Sequence, residues 1–142
     1  MHDTMLATAS VTIAAPPATV WKALVSPEAI KQYMFGTEVT SKWKEGAPIV
    51  WTGEFQGKLY EDKGEILRMD EGRLLQYTHY SNVSGDVDTP ENYHTVTMEL
   101  SEDSAGTRVA VTQDNNANED DRTRSEQTWK GILDALKDYL ER

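Results

Sequence analysis

The chain has no cysteine, few basic residues and no long apolar run, and each of these absences removes a class of function. Without cysteine there is no disulfide, no thiolate metal site and no cysteine nucleophile, and such usage leans towards the reducing cytosol. Lysine and arginine number 14 against 24 aspartates and glutamates, a formal net charge of −10. No cluster of cations is available to displace counterions from a phosphate backbone, so nucleic acid is not an expected partner. No stretch approaches the roughly 20 apolar residues of a membrane span. Met1 to Ser10 lacks the basic start and apolar run of a secretory signal, so a cytoplasmic location is expected. The glycosylation pattern Asn82-Val83-Ser84 is then a chance match.

Motifs for several chemistries are also missing. There is no Gly-x-Ser-x-Gly elbow, glycine-rich phosphate loop or dinucleotide fingerprint, so nucleophilic catalysis and nucleotide use have no support. A metal centre needs three or four converging His, Asp or Glu side chains, and no spacing here supplies them. The acidic run Asn115 to Asp121 lacks the frame of a calcium loop and is explained by helix capping. No cofactor and no metal are expected.

What is present begins with the C-terminus. From Asn118 to Arg142, apolar residues fall at Trp129, Ile132, Leu133, Leu136, Tyr139 and Leu140, the spacing of a helix with one buried stripe. Asn118 is placed to cap it, Glu119, Asp120 and Asp121 to oppose the dipole at its start, and Lys137 and Arg142 at its end. One turn further back the same face carries Arg122, Ser125 and Glu126. These polar residues either overhang a sheet edge into water or line the mouth of a cavity.

The remainder reads largely as strands. Leu6 to Ala14 alternates, with Ala7, Ala9, Val11 and Ile13 on one side, until Pro16-Pro17 stops it. Two short helices follow: one with Val20, Trp21, Leu24 and Val25, the next capped by Ser26 with Pro27 first. From Gly36 the period is two, broken at Glu45-Gly46, Gln56-Gly57 and Asp70-Glu71-Gly72 into the strands of antiparallel hairpins. A polar loop, Asn82 to Asn92, precedes Tyr93 to Leu100, and Arg108 to Gln113 returns before the long helix. A sheet of that many strands curls, and its concave side needs an apolar cover that only the terminal helix can supply.

This order resembles the helix-grip fold of the START-related SRPBCC superfamily, which includes plant allergens, polyketide cyclases and lipid-transfer domains. Within it the residues are similar to the family of the activator of heat-shock protein 90 ATPase, C-terminal domain. The likeness lies in Ala15-Pro16-Pro17 with Val20-Trp21-Lys22-Ala23-Leu24, Trp43-Lys44-Glu45-Gly46 with Pro48-Ile49-Val50-Trp51, Tyr60-Glu61-Asp62-Lys63-Gly64, Arg73-Leu74-Leu75-Gln76-Tyr77-Thr78, and the helix bearing Trp129. It implies an α+β domain over residues 1–142: a curved antiparallel sheet of about seven strands around a long C-terminal helix, with two short helices after the first strand. It also implies a cavity between sheet and helix for a small, largely apolar molecule. The eukaryotic activator carries a further N-terminal domain for which 142 residues leave no room, so chaperone activation is not carried over.

Three functions are open on these grounds: a non-enzymatic binder of a small hydrophobic or amphipathic ligand, a cyclase-like or hydrolase-like enzyme using the same cavity, and a protein-interaction module acting on a chaperone or other partner. Expected ligand-binding residues are Trp51, Tyr77, His79, His94, Val96, Met98, Arg122, Glu126, Trp129 and Leu133. Trp51 shares a face with Ile49, Gly53 and Phe55, where Gly53 leaves space that a side chain would fill. His94 shares a face with Val96 and Met98, and His79 with Leu75 and Tyr77; such histidines are more often hydrogen-bonded core groups than catalysts. His2 sits in a frayed terminus. No catalytic residue is assigned. Chemistry, if present, would be acid and base work on a carbonyl compound by His94 or Glu126, with Tyr77 or Arg122 donating hydrogen bonds.

Overall fold

The structure, a computed structural model, describes residues 5–81 and 85–142, so His2 and the Asn82-Val83-Ser84 pattern lie outside the described residues. Its elements follow in the order β1 (Ala7–Ile13), α1 (Pro17–Leu24), α2 (Pro27–Tyr33), β2 (Glu38–Ser41), β3 (Pro48–Phe55), β4 (Lys58–Asp70), β5 (Leu74–Ser81), a short 3-10 turn (Pro90–Asn92), β6 (His94–Asp103), β7 (Gly106–Gln113) and α3 (Glu119–Leu140).

The strands form one antiparallel sheet of seven, ordered β1-β7-β6-β5-β4-β3-β2. Strands β2 to β7 are a plain meander, and β1 joins by pairing Ala7 with Gln113 and Ile13 with Thr107. The chain must therefore cross from one border of the sheet to the other after β1, and α1 and α2 make that crossing. Pro17 and Pro27 each open a helix, where the missing amide proton is harmless. Ser26 Oγ accepts from the Ala29 amide as the cap, and the Tyr33 hydroxyl donates to the Ala23 carbonyl, tying α2 back to α1.

Period-two alternation puts Ile49 and Trp51, Leu75 and Tyr77, Val96 and Met98, and Val109 and Val111 on the concave side, all buried. A register shift between Ile66 and Arg68 bends the long β4 against β5. The covering helix meets this layer with Trp129, Ile132, Leu133 and Leu136, all buried. Each such side chain contributes roughly 1.5–3 kcal/mol of burial. Asn118 Oδ1 accepts from the Asp121 amide at 2.9 Å, which fixes where the helix starts.

The position of α3 decides where space remains. It runs along β1, touches α2 and β7, and makes its closest approach at that border of the sheet. Two of its side chains, and that of Glu141 which follows it, engage backbone groups in or next to β1 that β7 does not use. Glu126 accepts from the Thr8 amide at 3.0 Å, Lys137 donates to the Thr12 carbonyl at 3.0 Å, and Glu141, just past the helix, accepts from the Ala14 amide at 2.8 Å. With the helix drawn to one border, the hollow over β3, β4 and β5 is left beside it.

Candidate functional site

That hollow is a cavity of about 490 Å³. Its floor comes from the sheet: Trp51 on β3, Tyr60 and Asp62 on β4, Tyr77 and His79 on β5, Val96 on β6 and Gln113 on β7. The roof is Thr128, Trp129 and Ile132 of α3, and one end is closed by Met34, Phe35 and Thr37 between α2 and β2. Strand register brings the floor together, because Tyr77 stands opposite Val96, Val96 opposite Gln113, and Trp51 opposite Asp62. Residues far apart in sequence thus become immediate neighbours.

The floor is aromatic. The Trp51 ring lies 5.1 Å from the Tyr77 ring at 48° and 5.1 Å from the His79 ring at 64°. These tilted and edge-on arrangements suit ring quadrupoles. Burial pushes the phenols of Tyr77 and of Tyr33 well above the ordinary tyrosine value, with neighbouring Tyr77 and Tyr139 adding to the effect on Tyr33.

Polar groups are few and placed in pairs. The Tyr60 hydroxyl and Thr37 Oγ1 share a hydrogen bond of 2.6 Å, and the Trp129 indole donates to Gln113 Oε1 at 2.8 Å. His79 Nε2 lies 2.9 Å from Asp62 Oδ2, an acceptor, so that nitrogen carries the proton and Nδ1 of a neutral ring holds the lone pair. The other carboxylate oxygen, Asp62 Oδ1, is buried without a hydrogen-bond partner among the described residues. An acceptor so placed costs about 1–3 kcal/mol. Among the described residues no lysine or arginine lines the cavity.

Of the ten residues expected to bind ligand, Trp51, Tyr77, His79, Val96 and Trp129 share this cavity. The structure places the other five elsewhere. Met98 and Leu133 are packed into the core, 7% and 2% exposed. His94 stacks behind His79 at 6.3 Å, donates from Nδ1 to the Asp114 carbonyl at 2.8 Å, and faces a separate polar cleft with Glu91, Asn115 and Arg124. Arg122 is bound to Glu119 and Glu126, and Glu126 to the β1 backbone, so these partly exposed side chains fasten the helix and do not line the cavity. The groups raised for a general acid or base role, His94 or Glu126 with Arg122 as donor, therefore do not face this cavity: Glu126 and Arg122 are bound to each other, and Glu126 to the backbone, and His94 lines the other cleft.

The space expected beside Gly53 is filled. Tyr60 sits directly across from Gly53, and a Cβ there would come within 2.5 Å of its hydroxyl oxygen, so glycine is present to admit that ring. Sequence reasoning missed Asp62, Tyr60, Thr37 and Gln113. A signal existed for Asp62 and Tyr60, which share the parity of buried Ile66 in β4. Among the described residues no three His, Asp or Glu side chains converge as metal ligands, and no helix is long and apolar enough to cross a membrane.

A curved seven-stranded antiparallel sheet closed by a long terminal helix, with two short helices after the first strand, defines a helix-grip protein of the SRPBCC superfamily. Residues 14–141 match the family described as activator of Hsp90 ATPase homolog 1-like protein, and the chain belongs to that family. The solution structure of a protein from Cytophaga hutchinsonii is 50% identical, with a TM-score of 0.86 over 99% of this chain and 97% of that one. More distant likenesses, which bear on fold alone, include the solution structure of the Aha1 dimer from Colwellia psychrerythraea, at 19% identity, TM-score 0.75 and 96% coverage of both chains. Another is CalU16 from Micromonospora echinospora, at 22% identity, TM-score 0.71, and 94% and 74% coverage. No curated protein matches the sequence.

Proposed function

We propose that the chain is a binding domain, without catalysis, that holds a small hydrophobic or amphipathic molecule between α3 and the concave side of the sheet. The observation carrying this reading is the 490 Å³ cavity walled by Trp51, Tyr77, Trp129 and Ile132. Its volume lies within the roughly 300 to 1,000 Å³ of ligand pockets, and its walls are chiefly apolar with a few polar tips. A module acting on a chaperone through its outer surface would need no such space. A cytoplasmic location fits the cysteine-free composition.

The test is mass spectrometry of protein purified under native conditions, together with a Thr128→Trp variant. Thr128 is exposed on α3 and lines the cavity, so a tryptophan there fills the space without disturbing the core. The expected result is a co-purifying small molecule that the variant loses while its circular dichroism is unchanged. An empty wild-type protein that takes up no apolar probe sinks the reading.

One observation favours a second reading. A carboxylate-held imidazole in an apolar cavity is suited to take a proton from a bound carbonyl compound, the cyclase kind of chemistry, with His79 Nδ1 as base and Asp62 fixing the tautomer. Turnover abolished by His79→Gln, with ligand binding retained, is the result this reading requires.

A further inference from the structure

We infer that the molecule the cavity selects carries a positively charged nitrogen, an apolar amine, and that Asp62 is the group that chooses it over a fatty acid or other apolar anion. This rests on the cavity being a ligand site, as proposed above, and adds the chemical class of the occupant.

Three observations point the same way. Asp62 is a carboxylate on the cavity floor, and among the described residues neither lysine nor arginine lines the cavity to receive an anionic head group. A fatty-acid carboxylate would therefore lie against like charge in a poorly hydrated space, where such contacts are penalised most. Second, Asp62 has one oxygen committed to His79 Nε2 and the other, Oδ1, buried and unpartnered among the described residues. A donor brought to this carboxylate gains a charge-assisted hydrogen bond, which is stronger than a neutral one. Third, the wall beside Asp62 is made of ring faces and edges. Trp51 stands directly across the ladder from Asp62, and its ring is 5.1 Å from both Tyr77 and His79. An ammonium held over Trp or Tyr is attracted by the ring quadrupole, and the attraction grows as water is excluded.

The alternative source of any preference for amines is the net charge of −10 acting over the whole surface. The two are separable, because attraction by dispersed surface charge is screened by salt and a contact inside a cavity is screened much less. The neutral analogue separates the cavity from its charge, since an alcohol of the same chain length uses the apolar walls alone.

The experiment is calorimetric titration of the intact protein at neutral pH with decylammonium, decanol and decanoate, below their aggregation limits. The expected order is decylammonium at least tenfold tighter than decanoate, with decanol between, and a gap that persists when the salt concentration is raised to on the order of 0.5 M. Asp62→Asn, which keeps shape and a hydrogen-bonding side chain, is expected to reduce the gap to threefold or less. Thr128→Lys, at an exposed residue that lines the cavity, sets a cation against the ammonium, is expected to reduce the gap as well, and keeps the question answerable if the Asp62 variant does not fold. Binding of none of the three probes overturns the cavity reading itself. Binding of decanol with decanoate as tight as decylammonium overturns the amine inference alone. A gap that collapses in high salt in the wild type, or survives intact in Asp62→Asn, assigns the preference to surface charge and overturns the role of Asp62.

Discussion

Trp129 on α3 and Gln113 on β7 are joined by a 2.8 Å hydrogen bond from indole to side-chain oxygen, and this bond sets the height of the cavity roof. The Gln113 amide nitrogen in turn donates to Ser125, which donates to Asn116, so helix and sheet meet through a chain of polar contacts at the cavity wall. Gln113→Leu leaves the indole N–H with no acceptor. Chemical denaturation is expected to show a loss of about 1–3 kcal/mol, and the tryptophan emission maximum to shift. Unchanged stability would show that the indole is satisfied by other means.

Gly64 in β4 lies against the backbone of β5, where a Cβ would collide with the Thr78 carbonyl oxygen. A carbonyl in a ladder cannot move aside as a flexible side chain can. Gly64→Ala is therefore expected to destabilise the protein by on the order of 3 kcal/mol, read from the denaturation midpoint, and to weaken protection of the β4 and β5 amides in hydrogen exchange. Gly53→Ala presses on the Tyr60 ring instead and is expected to be milder on stability, while breaking the Tyr60 bond to Thr37.

Two phenols, Tyr33 and Tyr77, are held neutral by burial. A group whose folded pKa is raised above its unfolded value stabilises the fold below the unfolded value, and that contribution is lost as pH rises through the folded one. On account of these residues stability should not vary with pH in neutral solution and should decline above a pH of about 10, the ordinary tyrosine value. Ultraviolet titration is expected to show part of the tyrosinate signal appearing only together with unfolding. Smooth titration of all six tyrosines in folded protein would contradict it.

At acid pH a different group responds. Hydrogen bonding to Lys137, and then to the Ala14 amide, holds the Glu141 carboxylate below its ordinary range. Its contribution is present above that range and is lost as pH falls through the lowered value. Glu141→Ala and Glu126→Ala are each expected to speed amide exchange at Ala14 and Thr8 respectively at neutral pH, with acidification abolishing the difference for Glu141. Equal exchange in wild type and variants would mean that the β1 border is protected by something else.

The strands and helices were legible because their signals are local. The Trp129-Ile132-Leu133-Leu136 stripe marks α3, Ser26 and Asn118 cap where a cap is needed, and glycine closes the hairpins after Phe55 and Asp70. The cavity was half legible: parity alone put Trp51, Tyr77, His79 and Val96 on the inner side of the sheet. Parity cannot say how far along a strand the helix extends its cover, and so Met98 reads like Val96 although only Val96 borders the space. Helical periodicity likewise turned Arg122 and Glu126 inward but is blind to reach, and their long side chains bend sideways to each other and to β1. The Asp62–His79 pair depends on which strands are neighbours, a property of topology that no window of sequence contains.

The fastening of α3 to β1 also bears on how copies of the molecule can meet. An uncovered strand invites another chain to continue the sheet, and here Glu126, Lys137 and Glu141 already occupy backbone groups that such a recruit would need. The opposite border is β2, only four residues long and a poor template for lengthening. Concentrated protein is accordingly protected at both ends of the layer against fibre-like growth, and the helix that makes the binding space is also the one that guards the longer end.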